Sequence, residues 1–108
     1  MPHQNFQHCI DECNACAVAC EHCAASCLSE PNVHEMAECI RLDLDCAAMC
    51  RMASAYMARG SRFAKDLCNL CATACEACGA ECERHAAQHC QECAQACRRC
   101  AQACRAMA

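Results

Sequence analysis

Cysteine is the residue type in this chain whose number and spacing most clearly predict chemistry. The chain contains 19 cysteines in 108 residues. Most are separated by three and four positions in alternation, which is the spacing of the apolar a and d positions of a coiled coil. The pattern predicts several helices, each of which turns a face of thiols toward a shared core.

The cysteines fall into runs along the chain. The first run is Cys9, Cys13, Cys16, Cys20, Cys23 and Cys27. A second set, with Asp43 in the same register, is Cys39, Cys46 and Cys50. Two later runs are Cys68, Cys71, Cys75, Cys78 and Cys82, and Cys90, Cys93, Cys97, Cys100 and Cys104. A single buried cysteine usually acts as a small hydrophobe. Packing does not explain 19 of them, because leucine would pack better and resist oxidation. We interpret the set as metal ligands.

Cu(I) is the metal that fits these thiols best. Disulfides are disfavoured because the number of cysteines is odd and neighbours on one helix point the same way, which strains the bond. Structural zinc commonly uses Cys-x-x-Cys pairs on loops, and iron–sulfur clusters use consecutive Cys-x-x-Cys steps that this spacing lacks. A soft monovalent ion also leaves a thiolate core neutral. We expect many Cu(I) ions per chain, bound by cysteines four residues apart.

The composition predicts the helices that must carry these thiols. Alanine is abundant, whereas the chain has 2 Gly, 2 Pro and 3 aromatic residues in all. Four helices are predicted, over residues 6–28, 32–59, 62–83 and 88–105. Short connections between helices of this length predict an all-α, up-down-up-down four-helix bundle with a cysteine-lined core. We expect residues 1–108 to form a single domain.

Local signals place the ends of these helices. Asn5 is a plausible N-cap of the first helix, and Asn32 with Glu35 resembles a capping box for the second. Gly60 suits the end of the second helix, and Ser61 can cap the third. The break before residue 88 has no Gly or Pro and is predicted from register, because the cysteines resume at 90 rather than at 89.

The two ends of the predicted bundle differ in chemistry. Extending the thiol-bearing faces gathers an apolar plug at one end, made of Phe6, Met57, Phe63 and Met107. The other end gathers the metal-binding candidates Asp43, His85 and His89, with Met36 and His34 nearby as residues whose role stays open. A carboxylate on the core face is costly to bury unless it is paired or metal-bound. We therefore expect a closed end and an entrance.

Charge and patterning disfavour several classes of function. The formal net charge is −4, and the arginines near the C-terminus are interpreted as solvated helix faces, so we expect no nucleic-acid partner. No apolar run has membrane-spanning length, and no signal peptide is recognised, so we expect no membrane partner and a cytoplasmic location. No catalytic Ser/His/Asp or Cys/His arrangement stands out, so we expect a protein that is not an enzyme.

Taken together, these motifs resemble one known family. Over essentially its whole length the chain is similar to the cytosolic bacterial copper storage proteins, which are cysteine-lined four-helix bundles. The segments that carry the resemblance are Cys9 to Cys27, Cys39-Ile40-Arg41-Leu42-Asp43, Cys68 to Cys78, and His85 to Cys104. The resemblance implies a homotetramer of bundles. It also implies metal binding at the open end by histidines and an aspartate that match His85, His89 and Asp43.

The expected function is cytosolic storage or sequestration of Cu(I). A metallothionein-like zinc or cadmium buffer is the main alternative, although the chain lacks Cys-x-Cys. An electron-transferring iron–sulfur protein and a copper-sensing regulator are two others. The regulator is disfavoured because one sensor site needs few ligands.

Overall fold

The computed structural model describes residues 6–107 and consists of four long helices. These are α1 (Gln7–Cys27), α2 (Ala37–Ala58), α3 (Ala64–Glu83) and α4 (Gln88–Met107). A single 3-10 turn (Val33–Met36) precedes α2. The predicted number and order of helices are confirmed.

The second helix begins differently from the prediction. Asn32 does not cap it with its side chain. The Glu35 N–H donates to the backbone carbonyl of Asn32 at 2.9 Å, and the Asn32 amide donates to the Glu35 carboxylate at 3.1 Å. The capping-box prediction is therefore wrong. The chain enters α2 through a 3-10 turn, in which the backbone carbonyl of Asn32 already accepts the hydrogen bond of the Glu35 N–H. The predicted Asn5 cap lies outside the described residues.

The turn between α2 and α3 follows the prediction more closely. Gly60 has a φ of 64°, a left-handed conformation that glycine adopts without strain, and it follows Arg59, the C-cap residue of α2. The Ser61 hydroxyl accepts a hydrogen bond from the Phe63 N–H at 3.1 Å within the turn. The N-cap of α3 is Phe63 and it has no side-chain cap, so the predicted Ser61 cap is wrong. The α3 helix itself starts two residues later than predicted, at Ala64.

The predicted break between α3 and α4 is confirmed, at residues 84–87. The side chain of Gln91 stabilises it. Its amide donates to the carbonyls of His85, at 2.6 Å, and Glu83, at 3.2 Å, which are left without helical partners where α3 ends. This contact fixes the turn that carries His85.

The helices pack as an elongated four-helix bundle of 48 × 18 × 17 Å. Helix α1 lies against α2 and α4, and α3 lies against the same two helices, so the four form a square in chain order. Gly79 allows α3 and α4 to approach closely. A Cβ atom at this position would lie 3.3 Å from Cys97 Cβ.

The core is built from thiols and small side chains. All 19 cysteines are buried, together with alanines at the helix contacts such as Ala17, Ala47, Ala72 and Ala94. No helix within residues 6–107 combines the length and apolarity needed to span a bilayer.

The predicted apolar plug is only partly formed. Met57 is fully buried, and Phe6 and Met107 pack against the core from the same end. Phe63 is 53% exposed and lies under the Arg62 guanidinium, so its place in the plug is wrong. The physical reason is the late start of α3, which puts Ala64 rather than Phe63 on the core face.

Candidate metal centre

Helical spacing brings thiols into contact within single helices. Four pairs of residues four positions apart have their Sγ atoms 3.9–4.0 Å from each other. The pairs are Cys16–Cys20, Cys23–Cys27, Cys71–Cys75 and Cys78–Cys82. A spacing of four places two side chains one above the other on the same helix face.

Packing then joins the faces into one network. Short contacts cross between helices, such as Cys9–Cys104 at 3.6 Å, Cys46–Cys75 at 3.5 Å and Cys39–Cys82 at 3.5 Å. An unbroken path of Sγ atoms, each within 4.0 Å of the next, runs along the bundle from Cys9 to Cys39. In order it passes through Cys104, Cys13, Cys100, Cys50, Cys75, Cys46, Cys16, Cys20, Cys78 and Cys82.

The sulfurs are also grouped in fours that could each hold metal. Within a group, all four Sγ atoms lie within 4.8 Å of one another. The groups include Cys13, Cys71, Cys100 and Cys104 toward the plugged end, and Cys23, Cys27, Cys39 and Cys90 toward the other. Members such as Cys16 and Cys20 belong to more than one group. A thiolate that can bridge two ions suits such sharing.

No disulfide joins these residues. All 19 thiols are free, and the contacting Sγ atoms are 3.5–4.0 Å apart, far beyond the roughly 2.05 Å of a disulfide bond. Burial raises the pKa of Cys27 to about 11 and raises that of Cys90 as well. In the absence of metal, Cys27 and Cys90 keep their protons at neutral pH, so a metal cation that binds them must displace those protons.

Asp43 is the buried carboxylate among the thiols. It is fully buried, and its Oδ1 atom accepts hydrogen bonds from Cys78 at 3.2 Å, Cys93 at 3.3 Å and Cys82 at 3.5 Å. Burial raises its pKa to about 8. Asp43 lies toward the predicted open end, but inward of the outermost cysteine of its own helix, Cys39.

His89 connects the surface of that end to the thiols. Its Nδ1 atom lies 3.5 Å from Cys23 Sγ and 3.6 Å from Cys90 Sγ, while its Nε2 atom lies 2.8 Å from a carboxylate oxygen of Glu30. The side chain is 14% exposed. Sequence reasoning identified His89 but missed Glu30, because Glu30 lies in the turn after α1, 59 residues away.

His85 occupies a different position at the same end. Its Nε2 atom is bonded to a Glu81 carboxylate oxygen at 2.7 Å, one helical turn earlier. Together with Met36 and Glu30 it lines a pocket of about 260 Å³. Met36 is buried and His34 is exposed. The His85–Glu81 pair has a sequence signal, a spacing of four residues across the end of α3, that lies outside the spacing of the cysteines.

The donor set fits a soft monovalent ion. Sulfur dominates it, the sulfurs are close enough to share ions, and an imidazole and a carboxylate contact the thiols at His89 and Asp43. Replacing one thiol proton with one monovalent ion changes no net charge, whereas divalent ions shared by many thiolates would leave charge in the core.

Comparison with known proteins agrees with this chemistry. The family described as "Copper storage protein" matches residues 2–108. An uncharacterised cysteine-rich protein of Bacillus subtilis, YhjQ, is 49% identical over 69 residues, and the match spans 64% of this chain and 64% of that protein.

Solved structures agree in fold over nearly the whole chain. The Cu(I)-bound copper storage protein BsCsp3 is 49% identical with a TM-score of 0.91, covering 94% of this chain and 96% of that one. A cytosolic copper storage protein from Streptomyces lividans, in a structure with five coppers, is 43% identical with a TM-score of 0.93, covering 98% and 93%. The chain therefore belongs to the copper storage protein family.

Proposed function

We propose that this chain stores many Cu(I) ions as thiolate complexes inside its helix bundle and catalyses no reaction. The observation that carries the proposal is the unbroken path of buried, free thiols along the bundle. A site for one regulatory or structural ion needs only a few ligands, whereas this path offers ligands over the length of the core.

Loading exchanges a proton for a metal ion at each thiol. The buried thiols are neutral when protonated, and they stay neutral overall when each binds one Cu(I) as a thiolate. The core can therefore fill without accumulating charge in a medium of low dielectric. The proposed ligands are the 19 cysteines, with Asp43, His85 and His89 contributing toward the open end.

The proposed route begins at the pocket beside His85 and Met36. His89 lies next, in contact with Cys23 and Cys90, and these sulfurs share a group with Cys39. Imidazole binds soft Cu(I) less strongly than paired thiolates do, so ions move inward. Toward the plugged end, Met57 and its neighbours close the core.

Location and assembly are part of the proposal. The Streptomyces lividans relative is a cytosolic protein, and reduced thiols persist in the cytosol, so we place this chain there too. We propose a homotetramer because the family resemblance implies one. Large apolar side chains on the outside of the bundle support it, namely Val18, Leu28, Leu44, Met52, Phe63 and Leu70. Sedimentation analysis of the reduced protein tests this assembly.

The decisive experiment is an anaerobic titration of the reduced protein with Cu(I), followed by metal analysis. We expect uptake on the order of one ion per cysteine, because thiolates can bridge ions. Circular dichroism beforehand should show a helical apoprotein, since the helices pack without metal. Saturation at one or two ions would refute storage. Displacement of bound Cu(I) by equimolar Zn²⁺ would instead support a zinc buffer.

A further inference from the structure

We propose that Glu30 is a positioning residue for copper entry, which acts by holding the ring of His89 with Nδ1 toward the first thiols. The carboxylate of Glu30 lies 2.8 Å from His89 Nε2, and Nδ1 on the opposite side of the ring lies 3.5 Å from Cys23 Sγ. One imidazole thus joins a carboxylate at the surface to a thiol in the core.

The hydrogen-bonding capacity of the groups determines which nitrogen can bind metal. An ionised carboxylate can only accept a hydrogen bond, and a neutral imidazole has one donor nitrogen and one acceptor nitrogen. Nε2 of His89 therefore carries the proton that Glu30 accepts. The lone pair is left on Nδ1, which also lies 3.6 Å from Cys90 Sγ. Glu30 sets both the ring orientation and the tautomer that a metal ion requires.

The contact also ties two turns together across the entrance. Glu30 lies in the turn after α1, where its own N–H donates to the Cys27 carbonyl at 3.2 Å, and His89 lies in the first turn of α4. The His89 side chain is 14% exposed and that of Glu30 is 30% exposed, so the pair sits at the boundary between solvent and core.

The two histidines of this end consequently have different surroundings. His85 bonds to Glu81 on the preceding helix and lines the pocket beside Met36. His89 faces the thiols. Carboxylates that accept from the outer nitrogen of a ligating histidine typically improve metal affinity by roughly 10- to 100-fold, because they fix the ring and make it more basic. We expect Glu30 to have this effect on His89.

The first test needs no copper. In the reduced, metal-free protein, ¹H–¹⁵N correlation spectra of the imidazole nitrogens should show His89 protonated at Nε2. Glu30→Ala should shift His89 toward a mixture of tautomers. Glu38→Ala is the matched control, since Glu38 is an exposed carboxylate near the same end that pairs with Arg41 at 3.5 Å. An unchanged His89 tautomer in the Glu30 variant would overturn the proposal.

The second test rests on the proposed function and measures the rate of Cu(I) uptake from a small-molecule chelate. Glu30→Ala should slow uptake by roughly tenfold, while final capacity stays unchanged. In a His89→Ala background the same substitution should have no further effect. Equal slowing in both backgrounds would mean that Glu30 acts through surface charge or loop structure instead. If the wild-type protein bound only one or two Cu(I) ions, the storage proposal would be refuted, whereas the result on the His89 tautomer would still hold.

Discussion

Asp43 Oδ1 accepts a hydrogen bond from the Cys78 thiol at 3.2 Å, across the interface between α2 and α3. The same oxygen lies 3.3 Å from Cys93 Sγ on α4, so one carboxylate joins three helices in the absence of metal. The contacts satisfy the buried carboxylate, but thiols are weak donors and only partly replace water. Burial of Asp43 therefore destabilises the metal-free fold.

Asp43→Asn should stabilise the metal-free protein at neutral pH. The pKa of Asp43 is raised to about 8 from an ordinary value of 3.8, so the folded state retains a proton that the unfolded state has lost. Stability from this group is fully present below the ordinary pKa and declines as pH rises toward about 8. The variant should gain roughly 1–3 kcal/mol at neutral pH, as measured by anaerobic urea unfolding.

The control for this measurement is Asp45→Asn, which changes an exposed carboxylate on the same helix. The difference in unfolding free energy between wild type and Asp43→Asn should grow between pH 5 and pH 8, which spans the raised titration. The corresponding difference in unfolding free energy between wild type and Asp45→Asn should stay near zero over the same pH range. Parallel stability curves for the wild type and the Asp43 variant would show that Asp43 ionises normally in the fold.

Replacing His85 and His89 together with Ala should slow both loading and release of Cu(I) while most of the capacity survives. These side chains lie at the proposed entrance and are partly exposed, whereas the 19 thiols are buried. Stopped-flow transfer to and from a chelator measures the rates, and metal analysis measures capacity. His22→Ala, on an exposed face of α1, is the control. Wild-type rates in the double variant would place the entrance elsewhere.

Gly79→Leu should destabilise the bundle by roughly 1–3 kcal/mol, because overpacking forces packed helices apart. Even a Cβ atom at this position would lie 3.3 Å from Cys97 Cβ. Ala80→Leu, an exposed change on the next residue, should alter stability by less than about 0.5 kcal/mol. Thermal unfolding of the metal-free proteins measures both. If the two variants unfolded at the same temperature, α3 and α4 would not lie in close contact at Gly79.

Much of the fold of this protein follows from the spacing of the cysteines in its sequence. The spacing of the cysteines predicted four helices with thiols on one face, and the step in register after Cys82 predicted the break before α4; both are confirmed. These features are local, because a helix presents residues three and four apart on the same side wherever it lies. The predominance of thiols in the core could be predicted for the same reason.

Tertiary structure decided what lies at the two ends and how Asp43 is satisfied. Phe63 turned outward because α3 begins one residue after it, and His89 acquired a carboxylate partner from Glu30 in a distant turn. The position of Phe63 depends on the residue at which α3 begins, and the Glu30–His89 contact depends on where two turns meet. The periodicity of the sequence encodes neither. The sequence by itself therefore determined that thiols line the core, because helical spacing puts them on one face of each helix. Packing of the four helices determined which sulfurs lie within 4.0 Å of one another and which ring nitrogen of His89 faces them.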